Sequence, residues 1–168
     1  MDASYITPFV KSIQNVFSTM LQLPVTVNDP QIKQGTTPSH DVSGIIGMSG
    51  DVVGTIILSF KTDAAESIVA LFCGEKLESG SPDFADAVGE LVNMVSGGAK
   101  AQFTDTKDVS ISCPSVIVGK DHGDALPSDV PCVVIPCTTD CGEFVIEVAI
   151  REAGATAGAA ANNASASA

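Results

Sequence analysis

The chain carries the same apolar pattern twice, and this repeat limits its fold more than any other feature. Phe9, Ile13, Val16 and Met20 step by four, three and four residues, and Phe84, Val88, Leu91 and Val95 repeat those steps 75 positions later. Such spacing puts each set on one stripe of a helix. A second repeat concerns strands. Ile45–Phe60 aligns with Val133–Val148 at an offset of 88, and Gly54 matches Gly142 just past the turn. Each of these segments is an apolar run, a polar turn and a second apolar run. Asp51 and Asp140 sit in the turns with Gly50 or Gly142 close by, as hairpins prefer. Between the halves, Asp63–Gly74 reads as a joining helix, with Asp63 capping its start and Gly74 its end. Two α-β-β units in one small chain predict an α+β fold with pseudo-twofold symmetry, in which one antiparallel sheet packs under two long helices.

The repeat ends near Glu152. Residues 1–152 read as one domain, and the 168-residue length leaves room for a proper core. Residues 153–168, AGATAGAAANNASASA, have no charge, no aromatic residue and no large apolar side chain. They cannot bury a core and read as a flexible low-complexity tail. No apolar run reaches the 18 residues of a membrane span, and the start lacks a basic region followed by an apolar one, so the expected location is the cytoplasm. Eight basic residues against twenty acidic ones give a net charge of −12. That balance argues against nucleic acid and anionic membranes as partners, and fits either a basic partner or plain solubility. The five cysteines, Cys73, Cys113, Cys132, Cys137 and Cys141, should be reduced thiols in that compartment. The run Cys132-x4-Cys137-x3-Cys141 lacks the second close pair of a zinc site, and both His40 and His122 lie outside it. Small apolar residues on strands are the reading adopted, with no metal ligands.

The second helix, Asp83–Thr104, carries the candidate site. Opposite its apolar stripe lie Asp86, Glu90, Asn93 and Gly97. Glu90 and Asn93 therefore share one turn of an exposed face, beside a glycine that leaves room for another protein. By spacing alone, an acid and an amide at i and i+3 remain an ordinary solvated surface. The repeat supplies an internal control, because Asn15 and Ser18 stand where Glu90 and Asn93 stand in the second half. The core stripe occurs twice and the acid-amide pair once, as a scaffold with one grafted site would show.

Other chemistry is missing from the sequence. There is no G-x-x-x-x-G-K-[ST] loop and no G-x-S-x-G elbow, and two scattered histidines do not suit a Ser-His-Asp arrangement. A solvated carboxylate is a weak base at pH 7, and an amide has no proton to exchange there. The pair can nevertheless position groups. An amide donates and accepts hydrogen bonds at once and can hold a water in line with a phosphoryl group. A carboxylate can grip a partner's lysine or arginine.

The string Glu90-LVNMVSGGA-Lys100 resembles the E-x-x-N signature of the CheX and CheC family of chemotaxis phosphatases. The opening Tyr5–Gln22 resembles that family's first helix, and the likeness covers roughly residues 3–152. It implies the same α+β fold and an enzyme acting on the aspartyl phosphate of the response regulator CheY. It further implies that Asn93 orients the attacking water while Glu90 binds the regulator's lysine. No metal or cofactor is implied on this chain, since the Mg²⁺ ion belongs to the regulator. The implied assembly is a homodimer through sheet pairing, for which the sequence offers apolar strands such as Val52–Phe60 as edges needing cover. Two other readings stay open: a non-catalytic regulator-binding module of the same fold, and a phosphatase for a receiver domain outside chemotaxis.

Overall fold

The computed structural model of the chain describes residues 3–34, 39–103, 108–119 and 130–154. His122 and the tail from 155 onward lie outside them. Among the described residues, three helices, α1 (Ala3–Leu21), α2 (Thr62–Cys73) and α3 (Pro82–Phe103), accompany eight strands. The strands are β1 (Thr26–Val27), β2 (Gln31–Ile32), β3 (Val42–Gly50), β4 (Val52–Phe60), β5 (Val109–Ile111), β6 (Ser115–Val118), β7 (Val133–Thr139) and β8 (Gly142–Glu152). All join one antiparallel sheet in the order β1-β7-β8-β4-β3-β5, with β2 also on β7 and β6 also on β3. The α+β fold expected from the repeat is therefore present, with its two hairpins joined through β4 and β8.

One expectation fails here. Val52–Phe60 is not an edge. As β4 it pairs with β8 along its whole length on one side and with β3 from Gly54 to Phe60 on the other. A run this apolar is better buried between two strands than left at a rim. The edges are the short pieces β1, β2, β5 and β6.

The two hairpins close differently. Thr139 pairs with Gly142, so Asp140 and Cys141 form a two-residue turn. In the first hairpin the last β3–β4 pair is Met48 with Gly54. Beyond it, Gly50 pairs with Val109 and Val52 with Glu152. Asp51 ties these neighbours together. Its N–H donates to the Asp108 carbonyl at 2.8 Å, its carboxylate accepts from the Asp108 N–H at 2.7 Å, and its carbonyl accepts from the Ala153 N–H at 2.9 Å. The matched glycines both take positive φ, +147° at Gly54 and +127° at Gly142, a region that favours glycine.

Strand alternation sends Phe144, Ile146, Val148 and Ile150 toward the helices, where they join one core with Phe9, Ile13, Phe17, Phe84, Val88, Leu91 and Val95. Phe144 lies between Phe17 and Phe60, with ring centroids 5.2 and 5.1 Å away. Met20 departs from the expected stripe and is 51% exposed. α1 ends one residue later, and Gln22 takes a positive φ of 50°. The chain therefore turns back and covers the core with Leu21 and Leu23. Val95, the counterpart of Met20, stays buried because α3 continues for two more turns. In α2, Gly74 ends the helix as expected with φ of 75°. Asp63 does not cap it. Lys61 is the N-cap, without a side-chain bond, and Asp63 sits in the first turn, where the helix dipole favours an acid.

The face of the sheet away from the helices buries a polar group. Glu147 is 1% exposed and pairs with Lys33, Nζ to Oε2 at 3.0 Å, while the Ser39 hydroxyl also donates to its carboxylate. Next to it the His40 N–H donates to the Ser59 hydroxyl at 2.9 Å.

Candidate functional site

α3 runs from Pro82 to Phe103, one residue ahead of the Asp83–Thr104 expected from the sequence at each end. Ser81 is the N-cap residue, its hydroxyl accepting the Phe84 N–H at 3.2 Å, and Pro82 and Asp83 follow as first-turn residues. Phe84, Val88, Leu91 and Val95 are buried, whereas Asp86 and Glu90 are exposed and Asn93 and Gly97 are half-buried. The structure thus brings Glu90 and Asn93 onto one turn of the outer face, as the spacing predicts. A Cβ added at Gly97 would meet nothing within 4 Å, so the space beside the pair is open.

Neither Glu90 nor Asn93 makes a side-chain hydrogen bond or ion pair with another described residue. Both groups are therefore available to a partner. The helix that carries them is held firmly. The Ser12 hydroxyl of α1 donates to the Val95 carbonyl at 2.6 Å, and the Gln102 amide donates to the Pro8 carbonyl at 3.1 Å. A Cβ at Gly98 would collide with the Ser12 hydroxyl, so glycine permits this close approach. Sequence reading missed Ser12, Gly98 and Gln102 as supports of the site. A serine inside an apolar stripe and a Gly-Gly pair inside a helix were the available signals.

Asn15 and Ser18, the counterparts of the pair in α1, are exposed as well. They offer no acid and only one amide.

The cysteines divide by environment. Cys132 and Cys137 are buried just before and within β7, Cys141 is half-buried in the β7–β8 turn rather than on a strand, and Cys73 and Cys113 are exposed. Burial pushes the Cys137 thiol up to about 12, which keeps it protonated. Among the described residues no three His, Cys, Asp or Glu side chains gather as a metal site would need, and no helix is long and apolar enough to cross a membrane.

With fold and site in view, the comparison with known proteins decides the family. The family model described as chemotaxis phosphatase CheX matches residues 42–138. The chain belongs to the CheX family. It is 26% identical over 123 residues to the CheY-P phosphatase CheX of Thermotoga maritima, covering 72% of this chain and 79% of that one. A CheC-like superfamily protein of Shewanella sp. PV-4 superposes with a TM-score of 0.81 at 34% identity, over 90% of this chain and 99% of that one. The chemotaxis protein CheX of Desulfovibrio desulfuricans gives 0.79 at 32%, over 88% and 98%. The CheX-family match covers β3, α3 and the strands beside them, so it includes the Glu90–Asn93 turn.

Proposed function

We infer that this protein accelerates the loss of phosphate from the aspartyl phosphate of CheY, and we propose Glu90 and Asn93 as the residues that act. One observation carries the reading. In a chain of the CheX family, an acid and an amide sit one turn apart on an outer helix face, without partners among the described residues. The Asn93 amide would accept one hydrogen bond from a water and donate another, aiming that water at phosphorus. The Glu90 carboxylate would pair with a lysine of the regulator and so fix the orientation of docking. Neither group is a nucleophile. The chain itself takes no metal or cofactor, and the Mg²⁺ ion is the regulator's own. The phosphatase domain would span residues 1–152, act in the cytoplasm, and form a homodimer through sheet pairing, for which β1, β2, β5 and β6 are the available edges.

The test is to mix the protein with CheY phosphorylated in the presence of Mg²⁺ and follow phosphate loss. Accelerated loss is expected, with no hydrolysis of p-nitrophenyl phosphate by the protein alone. Tight binding without acceleration would make it a regulator-binding module. Acceleration confined to another receiver domain would place its substrate outside chemotaxis.

A further inference from the structure

α1 and α3 pack antiparallel, and their register is fixed by two hydrogen bonds, Ser12 to Val95 at 2.6 Å and Gln102 to Pro8 at 3.1 Å. Residue numbers rise along α1 as they fall along α3. Continuing from these contacts, Asn15 comes level with the turn that holds Asn93, and Ser18 level with the turn that holds Glu90. Both are exposed, as is Lys11, the only charged residue of α1. The outer faces of the two helices therefore lie side by side at the site.

Interface size then requires more than α3. A specific protein–protein contact takes about 800 Å² and roughly 20 residues or more from each side. The outer face of α3 offers Asp83, Asp86, Glu90, Asn93, Gly97 and Lys100. A receiver domain centred on Glu90 and Asn93 must rest on a neighbouring element as well, and Ser12 and Gly98 hold α1 tightly against α3.

We propose that the outer face of α1, with Asn15 and Ser18 at its centre and Lys11 at its rim, is the second half of the docking surface for the phosphorylated receiver domain. This rests on the function proposed above. The division of labour follows from the repeat: α3 supplies the chemistry, and its counterpart α1 supplies a flat, polar seat. Asn15 and Ser18 act through docking and touch no reacting atom. Their short side chains let the partner approach, so long charged side chains there would hold it off.

The test uses Asn15→Arg and Ser18→Arg in the full chain, each assayed for dephosphorylation of phosphorylated CheY across a range of CheY concentrations. Both positions are exposed within a helix, and arginine is a good helix former, so circular dichroism and melting should match wild type. KM should rise about tenfold or more while kcat stays within about twofold, because the block acts on association alone. Wild-type KM in both variants would overturn the proposal, as would a fall in kcat at unchanged KM. Failure of the wild-type protein to accelerate CheY dephosphorylation would instead remove the underlying function, an outcome separate from any behaviour of the arginine variants.

Discussion

Leu58 and Ile146 are direct register partners within the β4–β8 pair, and the 88-residue repeat makes each the counterpart of the other. The pseudo-twofold axis of the sheet therefore passes through this pair. The same symmetry exchanges α1 with α3 and sets Asn15 against Glu90 and Ser18 against Asn93. The molecule is symmetric in its core and asymmetric in its chemistry. Asn93→Ala should lower the rate of CheY dephosphorylation on the order of 10²-fold with the fold intact, since the proposed function has the amide position water and the side chain lies opposite the buried stripe of α3. Asn15→Ala and Ser18→Ala should stay near wild type. A steady-state assay with a melting curve for each variant checks the contrast. Wild-type rates in Asn93→Ala would sink the mechanism.

Glu90→Ala should weaken CheY binding as well as turnover if, as proposed, its carboxylate pairs with a cation of the partner. Added salt should weaken wild-type binding in the same direction by screening that pair. Titration calorimetry at low and high ionic strength checks both. Normal binding by the variant, with only turnover reduced, would assign Glu90 another role.

Gly98→Val should force α1 away from α3. The new side chain would occupy the place of the Ser12 hydroxyl and break its 2.6 Å bond to the Val95 carbonyl. Overpacking of this kind costs about 1–3 kcal/mol. Urea denaturation should show that loss, and Ser12→Gly in the same chain should recover part of it. Valine at Gly97, where a Cβ meets nothing, should leave stability near wild type.

Lys33→Met should be among the most damaging changes far from the site. Its ammonium is 3.0 Å from Glu147, and the two side chains are 7% and 2% exposed. Removing one member of a buried pair leaves an unpaired charge and costs about 3–5 kcal/mol, whereas replacing both by apolar residues is often neutral. Lys33→Met should therefore melt early, and the double change Lys33→Met with Glu147→Met should regain most of the loss.

Stability should fall as pH is lowered through the ordinary histidine range, in part because of His40. Burial, followed by the charge of Lys61, lowers its pKa below 6.5, against smaller opposing effects of Asp41, Glu143 and Glu147. Between the lowered folded value and 6.5 the unfolded chain binds a proton that the folded chain does not. Stability therefore rises with pH across that window and is lost on acidification. His40→Asn should flatten this slope relative to wild type when unfolding free energy is measured from pH 5 to 7.5.

Sequence periodicity determines what depends on near neighbours. The stripes of α1 and α3, the hairpin segments with their matched glycines, and the shared face of Glu90 and Asn93 all follow from steps of three and four or of two residues, which the backbone geometry of helix and strand imposes locally. Gly74 ends α2 for the same reason. What the tertiary structure alone decided depends on partners distant in the chain. Val52–Phe60 looks like an edge because an apolar run does not reveal how many strands flank it, and only pairing with both β3 and β8 puts it at the centre. Met20 fits the stripe by period and leaves the core because α1 stops beside it. The Asp51–Asp108 bonds, the Lys33–Glu147 pair and the Ser12–Val95 contact join residues 57, 114 and 83 positions apart. No local pattern encodes such contacts. They form when one fold brings distant polar groups together, and where these are buried, as at Lys33–Glu147 and Ser12–Val95, each must find a partner or bear the cost of desolvation.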